Sequence, residues 1–155
     1  KGGLYGDAGS GKTWTATLLA LYLKRFFKLE GDIFFFDTET GGEFVDKKLV
    51  FPATGKHIRG VKSRTLGDAI EFIHLAESQN AAVVIFDSVT HINEEVDRSF
   101  LTQLNDELKR RGKSPRKKIE WQDRGELNKV KAQFTDAYLN ARVHVILCGR
   151  SANIW

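Results

Sequence analysis

The feature that most constrains this sequence is a glycine-rich run near its start, Gly6-Asp7-Ala8-Gly9-Ser10-Gly11-Lys12-Thr13. It fits the Walker A pattern of glycine, four residues, glycine, lysine and then serine or threonine, which is typical of phosphate-binding loops. The glycines allow the backbone to curl so that successive N–H groups point at phosphate oxygens. A loop of this kind joins a strand to a helix whose N-terminal dipole favours anions. The run therefore predicts an α/β fold, with a strand ending before the loop and a helix beginning near Thr13.

The residue types within this loop have distinct expected roles toward a nucleotide. Lys12 is expected to place its charge against the β- and γ-phosphates, and the Thr13 hydroxyl is expected to ligate Mg²⁺. Further nucleotide contacts are expected from Gly6, Asp7, Ala8, Gly9, Ser10, Gly11 and Trp14. ATP and Mg²⁺ are thus the predicted ligands. The alternative, a flexible glycine-rich turn without a ligand, is disfavoured because an apolar strand and a clear helix flank the loop.

Length and composition favour a single domain outside the membrane. The chain has 155 residues, of which 41% are hydrophobic, and this is enough for one core. Its lone cysteine, Cys148, excludes an internal disulfide and is typical of a reducing cytoplasm. No apolar run approaches membrane-spanning length, so we expect a cytoplasmic protein. Because Lys1 stands close to the loop and the end at Trp155 looks cut, residues 1–155 are expected to be one core truncated at both ends.

Apolar runs alternate with helical patterns along the rest of the chain. Continuous apolar runs predict strands at 33–36, 82–86 and 143–148, with a further short strand at 58–62. Apolar residues at three- and four-residue steps predict helices at 14–28, 65–78, 92–109 and 127–141. The segment 43–56 has little periodicity and is predicted to be a loop. Strands that alternate with helices predict a mainly parallel sheet with helices on both faces.

Two of the predicted helices carry more specific expectations. Thr65 is expected to be the N-cap of the second helix, because Asp68 follows it by three residues. The first helix has apolar residues at helical spacing, which predicts one buried face. The expected members of that face are Leu18, Leu19, Tyr22, Leu23 and Phe26.

Asp87 is the second predicted metal-binding residue. Ligands of a parallel sheet bind beyond the carboxyl ends of its strands, so polar residues that follow strands are candidates. Asp87 directly follows the apolar run 82–86, which is the Walker B position. A carboxylate there helps to hold Mg²⁺, usually through water, beside the Thr13 hydroxyl. The alternative reading is an ordinary aspartate in a strand-end turn.

Glu39 is the predicted catalytic base. Hydrolysis needs a group that orients or deprotonates a water molecule, and many ATPases place a glutamate directly after the Walker B aspartate. Ser88 occupies that position here, and the next acidic residues lie too far into the following helix. Glu39 follows the strand at 33–36, on the same expected edge as the nucleotide. A solvated turn glutamate is the alternative reading.

Two strand-end motifs carry a resemblance to a known family. Phe36-Asp37-Thr38-Glu39 and Val84-Ile85-Phe86-Asp87-Ser88-Val89 resemble the core of RecA-type ATPases. In that family the catalytic glutamate follows the second core strand, and a serine follows the Walker B aspartate. More narrowly, nearly the whole chain resembles phage-encoded RecA-like AAA ATPases associated with single-strand annealing and recombination. The resemblance implies a RecA-like P-loop fold, a homo-oligomer and, for a phage protein, a location in the host cytoplasm.

Arg150 ends the last apolar run, Val143-His144-Val145-Ile146-Leu147-Cys148-Gly149-Arg150. This run is similar to the RecA strand that carries a phosphate sensor, which is often a glutamine. The resemblance implies that Arg150 senses the γ-phosphate in its own subunit or stabilises transition-state charge in a neighbour's site. A charged residue that merely ends a strand is the alternative.

A basic segment lies between the Walker B strand and the last strand. In the RecA family a loop in this interval contacts single-stranded DNA, and basic side chains would neutralise its phosphates. The residues so implied are Lys109, Arg110, Arg111, Lys113, Arg116, Lys117 and Lys118. Trp121 follows and is expected either to stack on a base or to pack in the core. A solvated helix end with a mobile loop remains the alternative for the whole segment.

The motifs predict a Mg²⁺-dependent ATPase, and the resemblance implies that it acts on single-stranded DNA in phage-type recombination or annealing. Glu39, Lys12 and Arg150 are its predicted catalytic residues. The four histidines show no metal-binding spacing with the lone cysteine, so no zinc site is expected. Two alternatives stay open: a P-loop kinase of a small molecule or nucleotide, with the basic segment as its lid, and a nucleotide-gated assembly module with incidental hydrolysis.

Overall fold

Five parallel strands form one sheet in the computed structural model, which describes residues 1–151. The strands are β1 (Gly2–Gly6), β2 (Ile33–Asp37), β3 (Arg59–Lys62), β4 (Val83–Asp87) and β5 (His144–Arg150). Their order across the sheet is β1-β5-β4-β2-β3, and each neighbouring pair is parallel. The predicted α/β fold with a parallel sheet is confirmed, and the weakly patterned strand at 58–62 is present as β3.

Helices connect the strands and cover both faces of the sheet. They are α1 (Lys12–Phe26), α2 (Gly42–Val45), α3 (Phe51–Thr54), α4 (Leu66–Ser78), α5 (Val89–Arg110) and α6 (Arg124–Asn140). A π-helical turn, Asp46–Val50, joins α2 to α3, and a 3-10 turn, Trp121–Asp123, leads into α6. Within residues 1–151, no helix combines the length and the apolar character needed to cross a membrane.

Strands β2 and β4 lie inside the sheet and end at the same edge. All five residues of each strand are buried, because helices cover both faces. Their parallel pairing aligns Asp37 with Asp87 at the carboxyl ends. β4 also pairs with β5, which aligns Asp87 with Cys148. Residues that follow neighbouring strands are therefore brought to one edge, as the sequence predicts.

Helix α1 packs on one face of the sheet, but the predicted burial of its large side chains is wrong. Its buried residues are Ala16, Thr17 and Ala20. Four of the five residues expected to be buried are exposed instead: Leu18 (46%), Leu19 (37%), Tyr22 (61%) and Phe26 (63%), while Leu23 is half-buried. Apolar residues recur at helical spacing on both sides of α1, so the spacing alone does not show which side is buried. The alanines lie inward because bulky strand residues such as Phe35 fill the space between helix and sheet.

The opposite face is covered by α4, α5 and α6. Ala69, Phe72 and Ile73 of α4 pack there with aromatic residues of β2 and β4. The rings of Phe36 and Phe86, for example, lie 5.1 Å apart. This layer anchors the start of α5 and the second half of α6, and so fixes the segment between them relative to the sheet.

The segment after β2 is helical, so the prediction of a loop at 43–56 is wrong. It consists of α2, the π-helical turn and α3, each too short to show a repeating apolar face. Val45 and Val50 are buried in the same core as α1, which holds the segment against the sheet. In contrast, the predicted cap of α4 is confirmed, because the Asp68 N–H donates to Thr65 Oγ1 at 3.2 Å.

Candidate functional site

The glycine-rich loop, residues 6–13, joins β1 to α1 as predicted. Gly9 and Gly11 have φ values of 76° and 83°, in the left-handed region that glycine adopts at little cost. Gly6 lies so close to Ser10 that an added Cβ would stand 2.9 Å from the serine hydroxyl oxygen. The loop thus favours glycine at Gly9 and Gly11 for backbone conformation, and a side chain at Gly6 would have to displace the Ser10 hydroxyl.

The Lys12 side chain folds back over this loop. Its Nζ donates to the carbonyl oxygens of Gly6 at 2.8 Å and Asp7 at 2.7 Å, and it lies 3.4 Å from Ser10 Oγ. These partners are neutral dipoles, which stabilise an ammonium group less than a charged oxygen does. A ligand oxygen with a full negative charge could replace them at a gain in electrostatic energy.

Thr13 and Asp87 meet across the gap between α1 and β4. The Thr13 hydroxyl donates to Asp87 Oδ2. Burial raises the pKa of the Asp87 carboxyl above its ordinary value; the Thr13 hydrogen bond opposes this, and the charge of Glu39 adds to it. A cation at this position would compensate the buried negative charge.

The pair fits a Mg²⁺ ion that takes most of its ligands from water and phosphate. Thr13 and Asp87 supply hard oxygen donors, which Mg²⁺ prefers, and it commonly uses one or two protein ligands. Within the described part of the chain, no three histidine, cysteine or acidic side chains gather into a metal-binding cluster. The metal role of the two residues stays a prediction.

We expect Asp87→Asn to raise the melting temperature at about pH 7 in EDTA by a few degrees. The pKa of Asp87 is higher in the folded than in the unfolded chain, so ionisation destabilises the fold as the pH rises through the folded value. Asparagine avoids this charge and can still accept from Thr13. The gain should shrink as the pH falls towards about 4 and vanish near about pH 3, where the wild-type carboxyl is protonated in both states.

Melting curves at several pH values test this expectation. Asp136→Asn removes an equal charge from an exposed position on α6 and serves as the control, which should show no such pH-dependent gain. An Asp87→Asn protein that is less stable than wild type at about pH 7 would contradict the proposed effect of burial.

Glu39 and Arg150 form an ion pair at the same edge of the sheet. Arg150 Nη2 donates to Glu39 Oε1 at 2.7 Å, and each side chain is 41% exposed. Glu39 follows β2, whereas Arg150 ends β5, so two strands that do not neighbour each other supply the pair. The structure therefore brings together both strand-end residues that the sequence singles out, while their catalytic roles stay predictions.

A cavity of about 380 Å³ connects these residues. Its lining comprises Ala8, Gly9, Gly11, Lys12, Thr13, Trp14, Glu39, Gly41, Phe44, Val45, Asp87 and Arg150. The volume lies within the range of small-molecule sites, roughly 300–1,000 Å³. Of the predicted nucleotide contacts, Gly6, Asp7 and Ser10 do not line the cavity, and each contacts Lys12.

Sequence reasoning missed the contribution of the segment after β2 to this cavity. Gly41 packs so closely on Thr13 that an added Cβ would lie 3.1 Å from the threonine methyl group. Phe44 faces Trp14 with 6.0 Å between ring centroids, and both rings are exposed at the cavity. The adjacent Gly41-Gly42 pair after a buried strand is the signal that could have found this wall.

A buried hydrogen-bond network holds the turn that carries Glu39. Asp37 accepts from the backbone N–H groups of Glu39 and Gly42, each at 2.9 Å. Thr38 Oγ1 accepts from the Ser88 N–H at 2.7 Å and lies 2.8 Å from Nδ1 of His91. Thr38 lies in the strand-end turn that the sequence singles out, but its link to His91 was not predicted, because a buried polar contact leaves no periodic pattern in the sequence.

The basic segment begins in the last turn of α5 and continues into the connection to α6, and none of its residues lines the cavity. The buried residues of α5 belong to its first eight positions, so the rest of the helix extends beyond the core. Arg116 is tied to the protein itself, 2.7 Å from Asp123 and 3.6 Å from Glu120. Its backbone N–H also donates to Asn105 Oδ1 at 2.7 Å. Arg116 thus braces the segment, and Arg111 lies 3.6 Å from Glu107.

The rest of the segment faces solvent. Lys109, Arg110, Lys113, Lys117 and Lys118 are exposed. Trp121 is 87% exposed, so the alternative that it packs in the core is wrong. Its ring is therefore accessible from solvent. DNA contact by these residues stays a prediction.

The sequence matches no family model and none of the curated proteins compared with it. A functional interpretation therefore depends on the geometry described above.

Proposed function

We propose that this chain is a Mg²⁺-dependent ATPase with a RecA-like P-loop core. The observation that carries the proposal is the convergence of Lys12, Thr13, Asp87, Glu39 and Arg150 on one cavity. These residues come from four different parts of the chain. Together they supply a phosphate-facing cation, two oxygen ligands for a metal, a carboxylate and a second cation, which are the groups that phosphoryl transfer to water requires.

Each residue has a role in binding the polyphosphate. Lys12 would exchange the carbonyl oxygens of Gly6 and Asp7 for β- and γ-phosphate oxygens. Thr13 and Asp87 would hold Mg²⁺, directly and through water respectively, and the metal would neutralise charge on the phosphates. Trp14 and Phe44 would offer their rings to the nucleobase, because stacking on an aromatic face is favourable for any base.

Glu39 would act on the attacking water. The water oxygen bonds to the γ-phosphorus, the bond from that phosphorus to the bridging oxygen breaks, and ADP leaves with the bonding electrons. Glu39 accepts the water proton. Before a nucleotide arrives, Arg150 neutralises Glu39 at 2.7 Å. The γ-phosphate would compete for this exposed arginine, which frees the carboxylate for the water.

Phosphate release from ATP is the direct test of this function. We expect release that requires Mg²⁺ and stops in EDTA. ADP that forms only when a small-molecule acceptor is supplied would favour the kinase alternative. ATP binding with negligible hydrolysis would favour the assembly module, and a chain that does not bind ATP would contradict all three functions.

We further propose that the exposed part of the basic segment binds single-stranded DNA. The support is the cluster of exposed lysines beside the solvent-facing Trp121, which combines phosphate neutralisation with a stacking surface. Salt-sensitive stimulation of hydrolysis by single-stranded DNA would connect this surface to the ATPase. A self-associating chain, as the resemblance implies, would place several such surfaces along one strand.

Lys117→Gln/Lys118→Gln is expected to weaken single-stranded DNA binding and its salt dependence. Two fewer phosphate contacts should reduce the slope of log affinity against log salt by about 1.4, at ~0.7 per contact. Lys28→Gln/Lys48→Gln removes the same charge from exposed positions elsewhere and is the matched control. Fluorescence anisotropy at several salt concentrations measures both slopes, and equal slopes for the two variants would refute a specific role for the segment.

A further inference from the structure

The inference concerns His91, a buried histidine in the first turn of α5. It is 9% exposed, which is unusual for a residue with two polar ring atoms. Its Nδ1 lies 2.8 Å from Thr38 Oγ1 and 3.6 Å from Glu39 Oε1. The ring therefore faces the turn that carries the proposed catalytic carboxylate.

Thr38 links this ring to both central strands. Its backbone N–H donates to the Asp87 carbonyl at 2.8 Å, and its hydroxyl accepts from the Ser88 N–H at 2.7 Å. The single hydroxyl proton can go to the Asp87 carbonyl oxygen, 3.1 Å away, and His91 Nδ1 then donates to the hydroxyl; in the other tautomer the hydroxyl donates to Nδ1. In either tautomer the Thr38 hydroxyl is hydrogen-bonded to His91, and this bond limits how residues 38 and 39 can turn.

Glu39 therefore has two neighbours, the Arg150 guanidinium and the His91 ring, which differ in their exposure to solvent. Arg150 approaches Glu39 from the exposed side, where a phosphate could draw the arginine away. His91 approaches from the buried side, where its side chain is 10% exposed. When Arg150 turns to a phosphate, the buried contact remains to keep Glu39 directed at the cavity.

We propose that His91 is a positioning residue, which holds Glu39 in place through Thr38 after Arg150 has engaged the nucleotide. This inference rests on the proposed ATPase function. It assigns His91 no contact with the reacting atoms. Its loss should lower the rate of hydrolysis and leave ATP binding in place, because a displacement of about 1 Å in a catalytic group can cost on the order of 10²-fold.

Three substitutions separate the hydrogen bond from the bulk of the ring. His91→Asn retains a polar atom at the same distance along the side chain as Nδ1, and we expect it to keep kcat within about threefold of wild type. His91→Gln places its polar atom one bond further, and His91→Leu has none. We expect both to lower kcat by about 10- to 100-fold with KM nearly unchanged. The control is His74→Leu, at an exposed position on α4, and it should leave kcat unchanged.

A double substitution tests whether His91 acts through Glu39. If it does, His91→Leu should add less than about twofold to the loss caused by Glu39→Gln, because coupled residues are not additive. If His91→Leu fails to fold, the comparison of His91→Asn with His91→Gln still decides the matter. Equal losses in those two, or an additive double variant, would overturn the inference and leave the ATPase proposal intact. Absence of hydrolysis in the wild-type chain would overturn both.

Discussion

Lys12→Ala is expected to weaken ATP binding by at least about 30-fold. The substitution removes a cation that would face the phosphates, and breaking such a charge pair typically costs roughly 2–5 kcal/mol. It also leaves the carbonyl oxygens of Gly6 and Asp7 without their donor, which loosens the loop that shapes the site. Titration with a fluorescent ATP analogue in the presence of Mg²⁺ measures the affinity.

The control for this prediction is Lys28→Ala, which removes the same charge from an exposed position beyond the far end of α1. It should leave the affinity for ATP unchanged. Melting curves should show that both variants fold, because the Lys12 ammonium contacts only the loop among the partners described. Binding by Lys12→Ala within about threefold of wild type would exclude the loop as the phosphate site.

Glu39→Gln is expected to lower the rate of ATP hydrolysis by about 10²- to 10⁴-fold, the usual contribution of a general base. Glutamine keeps an oxygen that can accept from Arg150, so the turn should hold its shape. The substitution also removes a negative charge from the cavity. The variant should therefore bind ATP at least as tightly as the wild type does. Phosphate release under single-turnover conditions and analogue binding measure the two effects separately.

Glu43→Gln provides a matched comparison for Glu39→Gln. Glu43 is exposed on α2, four residues further along, and pairs with Lys47 at 2.7 Å. The hydrolysis rate of the Glu43→Gln variant should stay within about twofold of the wild-type rate. If Glu39→Gln retained more than about a third of the wild-type rate, another group would have to deprotonate the water, and Glu39 would keep only its pairing role with Arg150.

The sequence predicted the sheet well because its signals are local. The runs that became β2 and β4 are continuous and apolar, and parallel pairing then brought Asp37 and Asp87 to one edge. The inward side of α1 was less predictable, because it depends on how closely the helix approaches Phe35 rather than on spacing.

The contacts between the residues of the site were harder to predict than the residues themselves. Glu39 and Arg150 are 111 positions apart, and no local pattern encodes their contact. His91 joins Thr38 through a single hydrogen bond across 53 positions. Such contacts depend on the register of strands and on the tilt of one helix, which the chain sets only when it has folded.

The length of α5 has a mechanical consequence. The first turn of α5 contacts residues at the edge of the cavity. The Thr90 hydroxyl accepts from the Arg150 backbone N–H at 2.9 Å, and His91 contacts Thr38. Its 22 residues form a rod of about 33 Å, at 1.5 Å per residue, and the basic segment is attached to the far end. A tilt of about 5° at the first turn would swing that end by roughly 3 Å. A shift of α5 at its first turn would therefore be enlarged at its far end, where the basic segment begins.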